Sequence, residues 1–178
     1  MNYKKCVYYV EGSCEEQLVN ALKLEPRKLI PGKVKVHNIV QDEIPRREVN
    51  MISAGTIVVF VFDTDVNKTD VLKKNLEHVK KYATQVKIVY LAQVLNFEEE
   101  LVRTTDIKKI HDLTRSKSIK DFKSDFCKMK TIDCRHALDR HKIDISKLWS
   151  TNPPYYYSFI TQNGSEIKIK GYSPNKCW

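Results

Sequence analysis

Residues 57–62 read IVVFVF, six apolar side chains without a polar break, and Asp63 and Asp65 follow this run directly. Side chains on a strand alternate between its two faces, so an uninterrupted apolar run predicts a strand that is buried on both faces. Such strands occur in parallel sheets that are covered by helices on each side. The run therefore predicts an α/β fold, and it raises the question of why two carboxylates follow a buried strand.

Three further segments have the composition of strands. Residues 6–10 (CVYYV) and 86–92 (VKIVYLA) are short apolar runs, and residues 33–40 (KVKVHNIV) alternate between polar and apolar side chains. Segments with helical spacing separate these strands. Strands that alternate with helices predict parallel strands joined by right-handed crossovers. Residues 1–102 are therefore expected to form a small α/β sandwich.

Helix starts are indicated by capping residues between the predicted strands. Ser13 and Glu16 have the S-x-x-E spacing of a capping box. Pro45 is placed to open a second helix, which is expected to stop near residue 55. Thr69 and Asp70 predict the start of a third helix.

Residues 103–178 are expected to form a basic extension that packs on the core as one domain, because 178 residues suit a single domain. Amphipathic segments at 97–103, 106–114 and 119–128 predict helices. Near the end, an Asn-Gly pair at 163–164 lies between two alternating runs, which predicts a β-hairpin over residues 155–172.

The formal charge of +9 is distributed unevenly along the chain. Residues 1–102 carry 15 basic and 14 acidic side chains, whereas residues 103–178 carry 16 and 8. A basic extension favours a polyanionic partner, nucleic acid first, because lysines near phosphates release bound counterions; a solvated lysine-rich surface is the plain alternative. No apolar run suggests a signal peptide or a membrane helix, so a cytoplasmic protein with reduced thiols is expected.

Carboxylates cluster at the ends of two predicted strands. Asp63 and Asp65 lie two residues apart, which places both on one side of an extended chain. Glu11 follows the first strand, and Glu15 comes four residues later in the first turn of a helix. Ligands bind at the carboxyl ends of strands in open parallel sheets, and several hard oxygen donors there suit Mg²⁺ or Mn²⁺. The alternative roles are helix-dipole complementation by Glu15 and turn formation by the aspartates.

The sequences VYYVEGSCEEQL at 7–18 and VVFVFDTD at 58–65 resemble the TOPRIM domain of topoisomerases, primases and related nucleases. The likeness covers about the first hundred residues. Within that superfamily the chain is most similar to the RloB-like and OLD-type nucleases of bacterial defence and mobile elements, because of the second acid, Glu15, and of Phe97-Glu98 after the fourth strand. The resemblance implies a TOPRIM-like, Rossmann-like sandwich and a metal-dependent nuclease, with a partner protein of a defence system as a further expectation.

The resemblance also implies roles for individual residues. The metal ligands would be Glu11, Glu15, Asp63, Asp65 and Glu98, with Glu11 and the two aspartates also acting in catalysis. A downstream lysine would assist the chemistry, with Lys117, Lys120 and Lys123 as candidates and Lys120 preferred. The lysines expected to hold nucleic acid are Lys117, Lys123, Lys128 and Lys130.

The chain departs from the relatives in three places. Asn96 stands where a serine is common, and Val66-Asn67 replaces an acid-rich continuation after Asp65. Glu99 and Glu100 follow Glu98 at once, so the register of that ligand is open by one residue. These departures favour, as an alternative function, a TOPRIM-like nucleic-acid-binding module or regulatory subunit without catalysis.

Other constellations suggest further alternatives. A C-x6-C-x-H-x4-H pattern provides zinc-capable side chains, although its first spacing is wider than that of most zinc sites. The sequence FVFDTDV resembles the first motif of haloacid-dehalogenase-type phosphatases, but it comes third in strand order and leaves Glu11 unexplained. Three consecutive tyrosines at 155–157 could stack on bases or pack inside the protein. The residues of the zinc pattern are Cys127, Cys134, His136 and His141.

Overall fold

A computed structural model describes residues 5–169 and contains one four-stranded sheet. All pairings are parallel, in the order β2-β1-β3-β4, which confirms the predicted α/β class. The strand predicted from the apolar run lies inside the sheet, with Val10 opposite Val61 on one side and Gln93 opposite Asp63 on the other. The strands are β1 Lys5–Val10, β2 Lys33–Val36, β3 Thr56–Asp63 and β4 Lys87–Gln93.

Helices cover both faces of the sheet. The side chains of β3 alternate between these two faces and are buried on each. Val59 and Val61 belong to one apolar cluster, and Phe60 and Phe62 belong to the other. The helices are α1 Ser13–Lys23, α2 Arg46–Asn50, α3 Asp70–Tyr82, α4 Phe97–Thr104, α5 Ile119–Lys128 and α6 Thr131–Arg140. Helices α1, α4, α5 and α6 supply residues to the first cluster, and α2 and α3 to the second.

The basic extension shares the first cluster with the sheet. Phe122 and Phe126 on α5 are buried, and their rings lie 6.5 Å and 5.5 Å from that of Phe97 on α4. The sheet and the extension therefore pack around common apolar side chains, which fixes α5 beside the carboxyl ends of the strands. The division at residues 102 and 103 stays a prediction.

A buried cation joins α6 to the end of α1. Arg135 is 2% exposed and donates hydrogen bonds to the carbonyl oxygens of Leu24 and Pro26 and to Asp139. Since α1 ends at Lys23, the Leu24 carbonyl is one of the acceptors that a helix leaves unsatisfied at its C-terminus. Helix α6 was not predicted from the sequence.

Three local predictions are wrong. The first helix has Gly12 at its N-cap without a side-chain hydrogen bond, so Ser13 does not form the capping box. The segment 106–114 contains only a 3-10 turn, Ile110–Asp112. The tyrosines form one 3-10 turn, Tyr155–Tyr157, and Asn163 precedes another, Gly164–Glu166. The described part of the predicted hairpin does not pair with itself.

Hydrogen bonds from the β4 backbone to two side chains explain why the predicted hairpin does not form among the described residues. The Asn163 Oδ1 accepts a hydrogen bond from the backbone N–H of Tyr90 at 2.8 Å, and Gln162 does the same for Ala92 at 2.7 Å. These amides satisfy the open edge of β4, where a further strand would otherwise pair. Residues 170–172 of the predicted hairpin lie outside the described residues. Within residues 5–169, no helix is long and apolar enough to cross a membrane.

Candidate active site

The predicted acidic residues come together at one edge of the sheet. Glu11 follows β1, Asp63 is the last residue of β3, and Glu98 lies in the first turn of α4, which follows β4. Because β1, β3 and β4 are adjacent and parallel, their carboxyl ends lie side by side. Glu15 projects from the first turn of α1 and is 6% exposed, although a glutamate that only complements a helix dipole is normally solvated.

A pocket of about 270 Å³ opens between these elements. Its wall includes Glu15, Asp63 and Glu98, together with Lys123 of α5. The backbone at Gly12 passes close to Glu15, since a Cβ at Gly12 would lie 3.2 Å from the Glu15 Oε2. Gly12 has an extended φ of −149°, which any residue can adopt, so a glycine here serves to leave space beside the carboxylate.

The electrostatics of the cluster are unfavourable in the absence of a cation. Burial raises the pKa of Asp63 to about 9, and the charges of Glu11 and Glu15 add to this rise. Burial likewise raises the pKa of Glu11 to about 8, helped by the charges of Glu15 and Asp65, while the backbone N–H of Asp63 opposes the rise. The pKa of Glu15 is raised by burial and by Glu98. The negative charges of these acidic side chains repel one another, so the cluster favours binding a proton or a metal ion.

The donors fit a hard divalent cation in kind. Asp63 Oδ1 is buried and has no hydrogen-bond partner among residues 5–169, although a buried carboxylate oxygen normally has one. Carboxylate oxygens are the ligands that Mg²⁺ and Mn²⁺ prefer. As the side chains stand, no group of three His, Cys, Asp or Glu residues within 5–169 surrounds a common point closely enough to hold an ion. Side-chain rotation is therefore needed for several carboxylates to share one.

The three consecutive glutamates after β4 lie in different environments, which identifies the one that faces the pocket. Glu98 lines the pocket, and Glu99 is exposed. Glu100 is fully buried on the opposite side of α4, where it pairs with Arg103 at 2.7 Å and accepts the backbone N–H of Trp149. Glu98 is thus the glutamate that faces the other acids, and Glu100 has a structural role.

Asn96, at the position where the resemblance implies a serine, has a local role. Its Oδ1 accepts the backbone N–H of Glu99 at 3.0 Å, as an N-cap residue does. This cap fixes the first turn of α4 and so the position of Glu98. A serine at an N-cap acts in the same way.

Among the candidate lysines, Lys123 lies at the acids. Its Nζ is 2.9 Å from the Glu98 Oε1, and the neighbouring negative charge raises the pKa of Lys123. Lys120 is exposed and makes no ion pair or hydrogen bond within the part of the chain that the structure describes. The geometry favours Lys123 over Lys120, and the catalytic role of either stays a prediction. The other lysines expected to bind nucleic acid, Lys117, Lys128 and Lys130, are exposed on or beside α5.

Asp65 lies in the loop that follows β3, outside the pocket that Glu15, Asp63 and Glu98 line. It borders a groove of about 1040 Å³ that Lys68 and Tyr156 also line. The hydroxyl of Tyr156 donates to the carbonyl of Thr64, and that of Tyr157 donates to Val66, each at 3.0 Å. These two tyrosines hold the Asp65 loop, a role that the sequence pattern did not suggest.

The three consecutive tyrosines have different environments. Tyr157 is fully buried and Tyr156 is partly buried, so packing accounts for both. Tyr155 is 88% exposed and meets the ring of Tyr156 edge-on at 5.4 Å. Only Tyr155 presents a free ring to solvent, which leaves base stacking by that residue as a prediction.

Within residues 5–169, the Cys and His side chains of the zinc pattern do not come together around one point. Cys134 is fully buried, and burial raises the pKa of its thiol to about 12. His141 pairs with Asp106 at 3.1 Å, and His136 is exposed. Cys127 lies instead beside Cys14, a proximity that no sequence pattern predicted.

Comparison with known proteins gives no relative: no family model, no curated protein and no solved structure matches the chain. The likeness to TOPRIM domains therefore depends on the sequence motifs alone and stays a prediction. No name or activity passes to this chain from another protein.

Proposed function

We propose that the protein is a metal-dependent nuclease that hydrolyses phosphodiester bonds in DNA or RNA. The observation that carries this proposal is the convergence of acids from the ends of β1, β3 and β4, with Lys123 beside them. An acid at three adjacent strand ends is not needed for folding, because burial and mutual repulsion raise the pKa of Glu11 and Asp63 and destabilise their charged forms. Function is the simplest reason for keeping them.

The residues that would hold Mg²⁺ or Mn²⁺ are the five carboxylates of the cluster. The unpartnered Oδ1 of Asp63 is the most central donor, since its pKa responds to all the other acids. A bound divalent ion supplies a water of lowered pKa and a polarised phosphate. The set comprises Glu11, Glu15, Asp63, Asp65 and Glu98.

The chain's own side chains complete the chemistry. Lys123 supplies positive charge at the pocket, where negative charge builds on the phosphate in the transition state. Its ion pair with Glu98 holds the ammonium group toward the pocket in the absence of substrate. Lys117, Lys128 and Lys130 give a second, exposed source of charge for the nucleic-acid backbone, without base specificity.

The context of this activity follows from the resemblance. The likeness to RloB-like and OLD-type nucleases supports a role in bacterial defence or mobile elements, inside the cytoplasm, where a partner protein could control cleavage. A basic extension packed against the acidic edge suits a substrate that spans both.

The test is cleavage of a panel of single- and double-stranded DNA and RNA in Mn²⁺ or Mg²⁺. The wild type is compared with Asp63→Asn and with the matched control Asp42→Asn, whose side chain is exposed and makes no hydrogen bond or ion pair within residues 5–169. Metal-dependent cleavage by the wild type and the control, with a loss of at least about 100-fold in Asp63→Asn, supports the proposal. Equal cleavage by all three proteins refutes it.

A second candidate is a nucleic-acid-binding module or regulatory subunit that does not cut. It is favoured by the fact that the described acids do not already surround a common point, whereas a preorganised catalyst would hold its ligands in place. Retained nucleic-acid binding with no turnover in either metal would support this function in place of the nuclease.

A further inference from the structure

Two cysteines from distant parts of the sequence meet at the wall of the pocket. Cys14 lies in the first turn of α1 and Cys127 near the end of α5, 113 residues apart, yet their Sγ atoms are separated by 2.7 Å. Both are free thiols in this structure. This distance is within about 1 Å of a sulfur–sulfur bond, so little movement is needed to join them.

Both thiols are accessible from the pocket, whereas the other described cysteines are not. Cys14 and Cys127 are partly exposed and line the 270 Å³ pocket. Cys6 and Cys134 are buried, at 8% and 0% exposure, within the apolar cluster. A small polar oxidant that enters the pocket therefore reaches one pair of thiols and not the others.

We propose that Cys14 and Cys127 form a redox-active dithiol, which a peroxide oxidises to a disulfide that ties α1 to α5. One thiol releases its proton and the thiolate attacks a peroxide oxygen; the O–O bond breaks, and the released oxygen takes up that proton and leaves as water, so that the cysteine becomes a sulfenic acid. The second thiol attacks that sulfur, the S–O bond breaks, and a second water leaves with the proton of the thiol. Two thiols and one hydrogen peroxide become one disulfide and two waters.

The bond would act on a defined part of the molecule. Lys123 precedes Cys127 by four residues on α5, so both lie on one side of that helix. The backbone carbonyl of Lys123 is also 3.9 Å from the Cys14 Sγ. A disulfide at this point therefore fixes the turn that carries Lys123 against the first turn of α1, which carries Glu15.

The experiment treats the reduced full-length protein with stoichiometric hydrogen peroxide, blocks the remaining thiols by alkylation, and maps peptides without reduction. We expect one cross-linked peptide pair, containing residues 14 and 127, and its disappearance on adding a thiol reductant. Either Cys14→Ser or Cys127→Ser abolishes that pair, which keeps the test independent of the folding of one variant. The inference does not depend on nuclease activity.

Thermal unfolding gives a second readout. Closing a loop of 113 residues restricts the unfolded chain, so oxidation should raise the Tm of the wild type by about 5 to 10 °C and leave that of Cys14→Ser unchanged. A disulfide that joins any other pair, or quantitative alkylation of both residues after peroxide treatment, would overturn the proposal.

Discussion

Replacing Asp63 with asparagine should stabilise the metal-free protein relative to the wild type, and the gain should grow with pH. The carboxyl has an ordinary pKa of 3.8 and one of about 9 in the folded protein, because it is buried beside Glu11 and Glu15. Between these values the unfolded chain has lost a proton that the folded chain keeps. The free energy of unfolding therefore falls as pH rises through this window.

The size of the effect follows from the linkage relation. One carboxyl that titrates in only one of the two states changes the free energy of unfolding by at most about 1.4 kcal/mol for each pH unit. Both pH 5 and pH 7 lie inside the window, so Asp63 should cost up to about 2.7 kcal/mol between them. The variant Asp63→Asn lacks this term while it keeps nearly the same shape.

The assay is urea unfolding at pH 5 and pH 7 with a chelator present, on wild type, Asp63→Asn and the exposed control Asp42→Asn. The advantage of Asp63→Asn over the wild type should widen by about 2 kcal/mol or more from pH 5 to pH 7, and the control should follow the wild type. Parallel pH dependence in all three proteins would refute the assignment of Asp63 to a repulsive buried cluster.

Three further outcomes are expected. Lys123→Met should lower metal-dependent cleavage by at least about 10-fold, because its ammonium lies at the pocket beside Glu98. Lys120→Met, one turn earlier on the same helix and without an ion pair among residues 5–169, should stay within about twofold, and equal losses would contradict the assignment. Gly12→Ala should weaken Mn²⁺ binding measured by calorimetry, since its Cβ would lie 3.2 Å from the Glu15 carboxylate. An unchanged affinity would show that Glu15 does not bind the ion. Phe126→Ala should lower the free energy of unfolding in urea by about 3 to 4 kcal/mol through the cavity left in the cluster, and a loss under about 1 kcal/mol would show that α5 is not packed there.

The site could be anticipated from sequence for a specific physical reason. In a parallel sheet the carboxyl ends of adjacent strands share one edge, so acids that follow apolar runs, such as Glu11 and Asp63, are expected together without knowledge of the loops. Glu98 was placed by the resemblance, and the structure decides its register against Glu99 and Glu100, because burial of Glu100 against Arg103 fixes the rotation of α4.

Within residues 5–169, the hairpin predicted near the C-terminus does not form, and the reason lies outside the local sequence pattern. An Asn-Gly pair favours a tight turn between strands, but the Asn163 and Gln162 side chains are used instead to satisfy backbone N–H groups of β4. Whether a polar side chain bonds locally or to a distant backbone group depends on what lies beside it in space. A sequence window of a few residues does not contain that information.

The sequence by itself determined the sheet, since the period of the apolar residues fixes which segments are buried strands and the strand ends then locate the acids. Only the tertiary structure decided which lysine reaches them and which thiols meet. Lys123 reaches the acids and Lys120 does not, because the docking of Phe122 and Phe126 places the turn of α5 that carries Lys123 beside Glu98. The same docking brings Cys127 to Cys14 across 113 residues. Contacts of this kind come from the packing of whole elements, which acts over distances that no local spacing records.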